Sequence, residues 1–215
     1  MIRADRSQAP LAESIPWAAI LREKNVWAIV IAHVCNNFGG YIILLWLPSY
    51  LHKSFGVPME RLGNYSIIPW IASFAVGNLS GWIADGLRRR GLTMTGVRKL
   101  MQGTAFTFGA VSMILLPMAG SPMMAIALVT LATGGMSLGV AGFAANHLDI
   151  APQYAGILMG LSNTFAQLPG IVGVALTGLI VDLTHSFAAV FYLIAAIYMI
   201  GMVCYLMMGS GERRL

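Results

Sequence analysis

Six long apolar runs, separated by short polar stretches, follow one another along most of the chain. Each run approaches or exceeds the roughly 20 apolar residues that a helix needs to cross a bilayer. The runs are too long for strands and do not alternate apolar with polar positions. The pattern therefore predicts an all-α membrane protein with a six-helix bundle over residues 25–208. The predicted spans cover residues 26–51, 65–84, 100–118, 123–145, 155–181 and 187–208.

Two short polar segments flank the predicted bundle. Residues 1–24 form the N-terminal segment and residues 209–215 form the C-terminal tail. Near the end of the first segment, Trp17 and Ile20 belong to an apolar stretch that begins with a proline, a residue favoured at helix starts. This stretch predicts a short helix in the lipid headgroup region. A tail without such a helix is the alternative.

Composition and charge narrow the class of protein. The chain is 58% hydrophobic and only 10% charged, whereas soluble domains carry about 25% charged residues, which argues against a soluble enzyme or a nucleic-acid-binding protein. With six spans, Lys53 and Arg61 fall on one side of the membrane and the other eleven basic residues on the opposite side. Cytoplasmic loops are enriched in Lys and Arg. The charges therefore predict an integral multi-pass protein with both termini on the cytoplasmic, or equivalent, side.

Several polar side chains fall inside the predicted first and fifth spans. Polar groups at this depth are costly, and they face an aqueous cavity or a partner helix. Helical spacing brings the members within each span to one face, which predicts a substrate pathway. The alternative is that they only hydrogen-bond neighbouring helices, and for the histidine both a proton relay and a neutral structural role stay open. The candidate pathway residues are His33, Asn36, Asn37, Tyr41, Asn163 and Gln167.

Proline and glycine add two expectations about helix shape and packing. Pro169 followed by Gly170 removes a backbone donor within the fifth span and predicts a kink there. Small residues four positions apart allow close helix approach. Such pairs are Gly77 with Gly81, Gly135 with Gly139, and Gly156 with Gly160.

The end of the predicted second span combines an acid with a basic cluster. Gly81 and Asp85 precede Arg88 and Arg90. Pairing of Asp85 with Arg88, or with the N-terminus of a neighbouring helix, at the membrane surface predicts a conformational latch, formed in one state and broken in another. A topology signal alone is the alternative. The stretch resembles the Gly-x-x-x-Asp-x-x-basic signature of the major facilitator superfamily.

More specific motifs lie in six segments, which are residues 26–37, 46–50, 97–102, 146–156, 160–164 and 168–173. Together they resemble the anion:cation symporter branch of that superfamily, which includes sodium/phosphate cotransporters, sialin-type carriers, vesicular glutamate carriers and plant plastid anion transporters. The resemblance extends from Ile15 to about Met208 and is to the C-terminal half, helices seven to twelve. Asn36 stands where vesicular glutamate members carry a basic residue, so the chain resembles the plant-type members more.

The resemblance implies a half of the major facilitator fold, built from two inverted three-helix repeats. It implies secondary active transport of a small organic or inorganic anion, phosphate-like or carboxylate, by alternating access. Na⁺ or H⁺ is the implied coupling ion, with no other cofactor and no metal site. The implied partners are the anion, membrane lipid, and an N-terminal six-helix half or a second copy, without nucleic acid.

Three interpretations of the function remain open at this point. The chain is part of a transporter, a half-transporter that works only as a homodimer, or a truncated or split membrane module without transport activity. An enzyme is not expected, because no zinc-ligand pair, Ser/His pair or paired aspartates occur at membrane depth.

Overall fold

The computed structural model describes residues 15–214, so that most of the predicted N-terminal segment and Leu215 lie outside the described residues. The described part is helical and contains no strand. The helices are α1 (Trp17–Arg22), α2 (Lys24–Phe55), α3 (Met59–Arg89), α4 (Met94–Leu115), α5 (Pro122–Met136), α6 (Phe143–Ile150), α7 (Ala155–Ala166), α8 (Leu168–Thr184) and α9 (Ala188–Met208). Short 3₁₀ turns cover Leu116–Met118, Ser137–Val140 and Pro152–Tyr154.

Six segments are long and apolar enough to cross a membrane, which confirms the predicted all-α class and the number of spans. We number them spans 1 to 6. They are Lys24–Phe55, Met59–Arg89, Met94–Met118, Pro122–Ile150, Pro152–Thr184 and Ala188–Met208. Most extend several residues beyond the predicted windows, because helices continue through charged turns that an apolar window excludes. Arg88 and Arg89, for example, belong to the last turn of α3.

Local sequence accounts for where several helices begin and end. The side chains of Glu23, Thr93 and Ser121 each accept a hydrogen bond from a backbone N–H in the following turn, which satisfies donors that a helix start leaves free. Gly56 ends α2 in the left-handed conformation, with φ of 65°, where glycine has no steric penalty. These caps place the loops between the apolar runs.

The packing of the spans has an internal symmetry. Span 3 packs along span 6; span 4 contacts spans 2 and 3, and span 1 contacts spans 5 and 6 in the same way. Exchanging spans 1, 2 and 3 with spans 4, 5 and 6 leaves these contacts unchanged. This is the pattern that two three-helix repeats produce.

Burial is uneven around the bundle. The interior contains large, fully buried side chains such as Tyr198, Tyr205 and Phe106. Span 2 is the least buried of the six, and Phe74 and Trp82 on it are 75% and 76% exposed. Apolar side chains exposed at membrane depth contact lipid or further helices, so span 2 lies at the outside of this bundle.

Candidate functional site

Spans 1 and 5 are tied together by two polar contacts. The Asn37 amide donates from Nδ2 to the carbonyl oxygen of Ala166 at 3.1 Å. One turn later, the Tyr41 hydroxyl donates to Oε1 of Gln167. Three of the predicted pathway residues therefore meet where the two spans cross.

These contacts lie at a break in span 5. Helix α7 ends at Ala166 and α8 begins at Leu168, with Gln167 between them. Pro169 lies in the first turn of α8, and the N–H of Gly170 donates to the carbonyl of Gln167 at 3.0 Å, not to the carbonyl of Ala166 as a regular helix requires. The Ala166 carbonyl is thereby free to accept the Asn37 amide. The predicted kink residues Pro169 and Gly170 directly follow this break.

Glycines bring span 5 close to aromatic rings of span 1. A Cβ atom at Gly170 would lie 3.3 Å from ring carbons of Tyr41, and one at Gly173 would lie 3.0 Å from the ring of Phe38. Both positions are tighter than ordinary van der Waals contact. Larger residues there would push the two spans apart and separate the polar contacts at the break.

A cavity of about 190 Å³ lies beside this contact, between spans 1, 2, 4 and 6. Asn36 and Gly40 line it from span 1, and Tyr198 lines it from span 6. The Asn36 Oδ1 atom is buried and has no hydrogen-bond partner among the described residues. Asn36 therefore offers an unused acceptor at the cavity. Asn163, the remaining amide of the predicted pathway, is exposed on span 5.

Hydroxyl groups of spans 2 and 4 form another wall of the cavity. The hydroxyls of Ser73 and Ser137 are 2.5 Å apart, and Ser137 donates to the carbonyl of Thr133 at 3.0 Å. Span 4 is also interrupted here, because the 3₁₀ turn Ser137–Val140 separates α5 from α6. The cavity is therefore bordered by a second broken span and by neutral polar groups.

His33 is buried in the interior of the bundle, whereas Asn36 and Asn37 are half-buried and Asn163 and Gln167 are exposed. Its Nδ1 atom is 3.2 Å from the Ser162 hydroxyl of span 5, which is 2.9 Å from Nε2 of His147 in span 4. Sequence analysis missed His147 because residues 146–154 contain several polar positions and were expected to form a loop. In the structure α6 continues to Ile150.

The predicted latch residues do not pair with one another in this conformation. Arg88 donates from Nη1 to the carbonyl of Leu92 at 2.6 Å. Asp85 and Arg90 are exposed, and no described residue outside the same helical turns lies within 4 Å of the position of a Cβ at Gly81. The ion pairs found between residues 15 and 214 are Arg98 with Asp149 and Arg214 with Glu212.

The ion pair of Arg98 and Asp149 is a feature that sequence reasoning did not identify. The guanidinium donates from Nε to Oδ2 at 2.5 Å and from Nη2 to Oδ1 at 3.1 Å. A third donor, Nη1, bonds the Ala141 carbonyl at 2.7 Å. The pair joins the start of span 3 to the end of span 4. The sequence contained one signal for this pair, because it places an acid and a base at the same predicted membrane surface.

The chain has six apolar spans in a two-repeat arrangement, and two of these spans are interrupted beside polar groups. These features define a half-bundle of a multi-pass membrane transport protein. Comparison with known families agrees: residues 3–174 match the Major Facilitator Superfamily. The chain belongs to that superfamily, as its signature in span 2 predicted. Its relatives place it in the anion:cation symporter branch, and they are named as transporters and not as enzymes.

Three relatives indicate what the chain is similar to. It is 37% identical over 200 residues to "Probable anion transporter 4, chloroplastic" of Oryza sativa subsp. japonica, covering 93% of this chain and 34% of that protein. It is 39% identical over 202 residues to "Sodium-dependent phosphate transport protein 1, chloroplastic" of Arabidopsis thaliana, covering 94% and 39%. It is 38% identical over 199 residues to "Ascorbate transporter, chloroplastic" of the same plant, covering 93% and 37%. The chain thus spans well under two thirds of the length of each.

Proposed function

We propose that this chain forms one half of a secondary active transporter that moves a small anion, phosphate-like or carboxylate, across a membrane by alternating access. The observation that carries the proposal is the broken span 5, whose freed carbonyl is held by Asn37 of span 1, next to Asn36, which lines the cavity together with Ser73 and Ser137. The names of the relatives support an anion as the substrate.

The pathway follows the polar face that spans 1 and 5 share. The amide N–H groups of Asn36 and Asn163 and the hydroxyls at the cavity are neutral donors to the oxygens of an anion, and the free Oδ1 of Asn36 accepts only from a protonated oxygen such as the hydroxyl of phosphate. Such groups bind a solute weakly enough to release it on the other side. Tyr41 and Gln167 lie at the same crossing and line the route past the break.

The break at Gln167 serves as the hinge of the cycle. A helix with a missing backbone hydrogen bond bends at lower cost than a continuous one, and discontinuous helices line the sites of many transporters. Asn37 and Tyr41 stabilise one bent form. In the conformation that faces the other side of the membrane, Asn37 and Tyr41 bond other partners, and the cavity opens to that side.

A second six-helix unit completes the pathway, either an N-terminal half or a second copy of this chain. Gly156 and Gly160 of span 5 and Gly81 of span 2 have open space beside them, so another helix can approach these faces closely.

Asp85 is exposed on span 2 and forms the latch with Arg88 and Arg90, or with the second unit, in only one of the two states. Both termini lie on the cytoplasmic, or equivalent, side. The transport is coupled to a cation gradient of Na⁺ or H⁺.

The test is uptake by the purified chain in liposomes. We expect labelled inorganic phosphate, ascorbate or glutamate to accumulate when a Na⁺ or pH gradient is imposed, and cross-linking to detect a dimer if a second copy completes the pathway. Liposomes with a full-length relative serve as the positive control. If this chain gives no uptake while the relative is active, and a co-reconstituted N-terminal half does not restore it, the chain is a non-transporting module.

A further inference from the structure

A buried chain of three side chains links spans 1, 4 and 5. Ser162 lies between His33 and His147, at 3.2 Å from Nδ1 of the first and 2.9 Å from Nε2 of the second. On its far side, Nδ1 of His147 is 2.8 Å from the carbonyl of Ala144. The exposed fractions are 9% for His33, 1% for His147 and zero for Ser162. The three groups must therefore satisfy one another.

The Ala144 carbonyl fixes the direction of these hydrogen bonds. A carbonyl only accepts, so Nδ1 of His147 carries a proton, and in a neutral imidazole Nε2 is then an acceptor. The Ser162 hydroxyl consequently donates to His147. Having donated its one hydrogen, Ser162 accepts from His33, whose Nδ1 must carry a proton as well.

The same atom positions also satisfy a state with one more proton. When His147 is protonated on both nitrogens, it donates to Ala144 and to Ser162. The Ser162 oxygen then accepts from His147, and its hydroxyl donates either to Nδ1 of His33, when that ring carries its proton on Nε2, or to the carbonyl of Met159, which lies 3.1 Å away. No side chain has to move, and no donor or acceptor of the three loses its partner.

We infer that His33, Ser162 and His147 form the proton-binding site through which this half couples anion transport to a proton gradient. The inference rests on the proposed function and specifies its coupling ion. A proton arrives on Nε2 of His33. The Nδ1 proton of His33 passes to Ser162 while the Ser162 proton passes to Nε2 of His147. His33 is left neutral with its proton on Nε2, and His147 becomes the imidazolium.

The position of the site explains why a proton favours the anion. Ala144, the acceptor of His147, lines the 190 Å³ cavity together with Phe143, whose ring centroid lies 4.9 Å from that of His33. An imidazolium directly behind this wall attracts an anion into a cavity that otherwise offers only neutral groups. By reciprocity, a bound anion strengthens proton binding by the same factor.

Among the titratable groups near the site, the histidines are the ones available to bind the proton. Along the chain, Cys35 lies two residues from His33 and Asp149 two residues from His147, and the Tyr205 hydroxyl bonds Asn146, the residue before His147. Arg98 and Asp149 bind each other through two hydrogen bonds and so neutralise one another. No unpaired carboxylate among these neighbours competes for the proton.

The first experiment measures the site without requiring transport. The chain is labelled with ¹⁵N-histidine in lipid nanodiscs, and NMR signals are assigned with His33→Gln and His147→Gln variants. At neutral pH we expect both rings to carry their proton on Nδ1, and addition of inorganic phosphate at lower pH to convert His147 to the doubly protonated form. A neutral His147 with its proton on Nε2, or a His147 that stays singly protonated at low pH with and without phosphate, overturns the inference.

The second experiment measures coupling in liposomes with labelled phosphate. Ser162→Ala is expected to reduce uptake driven by a pH gradient at least tenfold while phosphate exchange at equal pH continues, and Ser162→Thr, which keeps the hydroxyl, is expected to retain both. Ser112→Ala is the matched control, because Ser112 is buried in span 3 with a hydroxyl that lacks a partner. Equal pH-driven uptake in Ser162→Ala and Ser112→Ala overturns the inference. Absence of uptake in the unchanged chain refutes the proposed function, and the NMR result still decides the proton site.

Discussion

Replacing Asp149 with alanine is expected to lower the free energy of unfolding by about 3–5 kcal/mol, the usual cost of leaving one partner of a buried ion pair alone. The side chains of Arg98 and Asp149 are only 11% and 12% exposed. After the substitution the guanidinium keeps one acceptor, the Ala141 carbonyl, and its charge is uncompensated. Because the pair joins spans 3 and 4, we expect the loss to be global. Unfolding of the purified chain in mixed micelles, followed by circular dichroism, measures it.

Two variants control for this prediction. Glu212→Gln removes the charge from the exposed pair with Arg214, and exposed pairs contribute about 0–1 kcal/mol, so it should unfold almost like the unchanged chain. Arg98→Met combined with Asp149→Leu removes both charges and should recover most of the stability that Asp149→Ala loses. An Asp149→Ala variant as stable as Glu212→Gln would show that this ion pair does not hold the spans together.

Gly201→Ala is expected to destabilise the bundle by overpacking its interior. Gly201 lies on α9 where it crosses spans 1 and 3, and a Cβ atom there would lie 2.8 Å from Cβ of Cys35 and 2.9 Å from Cζ of Phe106. Phe106 is fully buried and cannot withdraw without displacing its own neighbours. Overpacking of this kind typically costs about 1–3 kcal/mol. The same unfolding measurement in micelles detects it.

Gly160→Ala is the matched control for the crowded glycine. Gly160 is also in a helix, but no atom of the described chain lies within 4 Å of the added Cβ. Alanine favours helix by about 1 kcal/mol over glycine, so this variant should be as stable as the unchanged chain or slightly more stable. If Gly201→Ala unfolds like Gly160→Ala, the close approach of α9 to spans 1 and 3 is not a determinant of stability.

The fold was largely predictable from the sequence, because span length and charge placement are local properties. The six apolar runs predicted the number of spans, and the motifs within the chain predicted the half-fold. The end of span 4 was not predictable in this way. Asn146, His147 and Asp149 interrupt the apolar window, yet each finds a partner inside the bundle, in Tyr205, Ser162 and Arg98. The helix therefore continues where composition alone suggested a loop.

The sequence predicted which side chains of the candidate site share a helix face, but it did not predict which residues of other helices they contact. Helical spacing indicated that Asn37 and Tyr41 share a face, and it could not indicate that this face meets the break in span 5. Pro169 predicted a kink, but the interruption lies at Gln167, where Asn37 holds the freed carbonyl. The roles of Ser162 and His147 needed the three-dimensional crossing of spans 1, 4 and 5, because no sequence spacing relates residues of different helices.

The central claim is that the polar face of spans 1 and 5 lines an anion pathway. It is tested most directly by thiol modification of Asn163→Cys in a background in which Cys35 and Cys204, the two free cysteines, are replaced with alanine. A negatively charged, membrane-impermeant thiol reagent should abolish uptake of labelled phosphate by this variant, and excess phosphate should slow the modification. Met207→Cys, at a position 76% exposed on span 6, should keep its uptake. Equal behaviour of the two variants, or modification of Asn163→Cys that phosphate does not slow, would contradict the account.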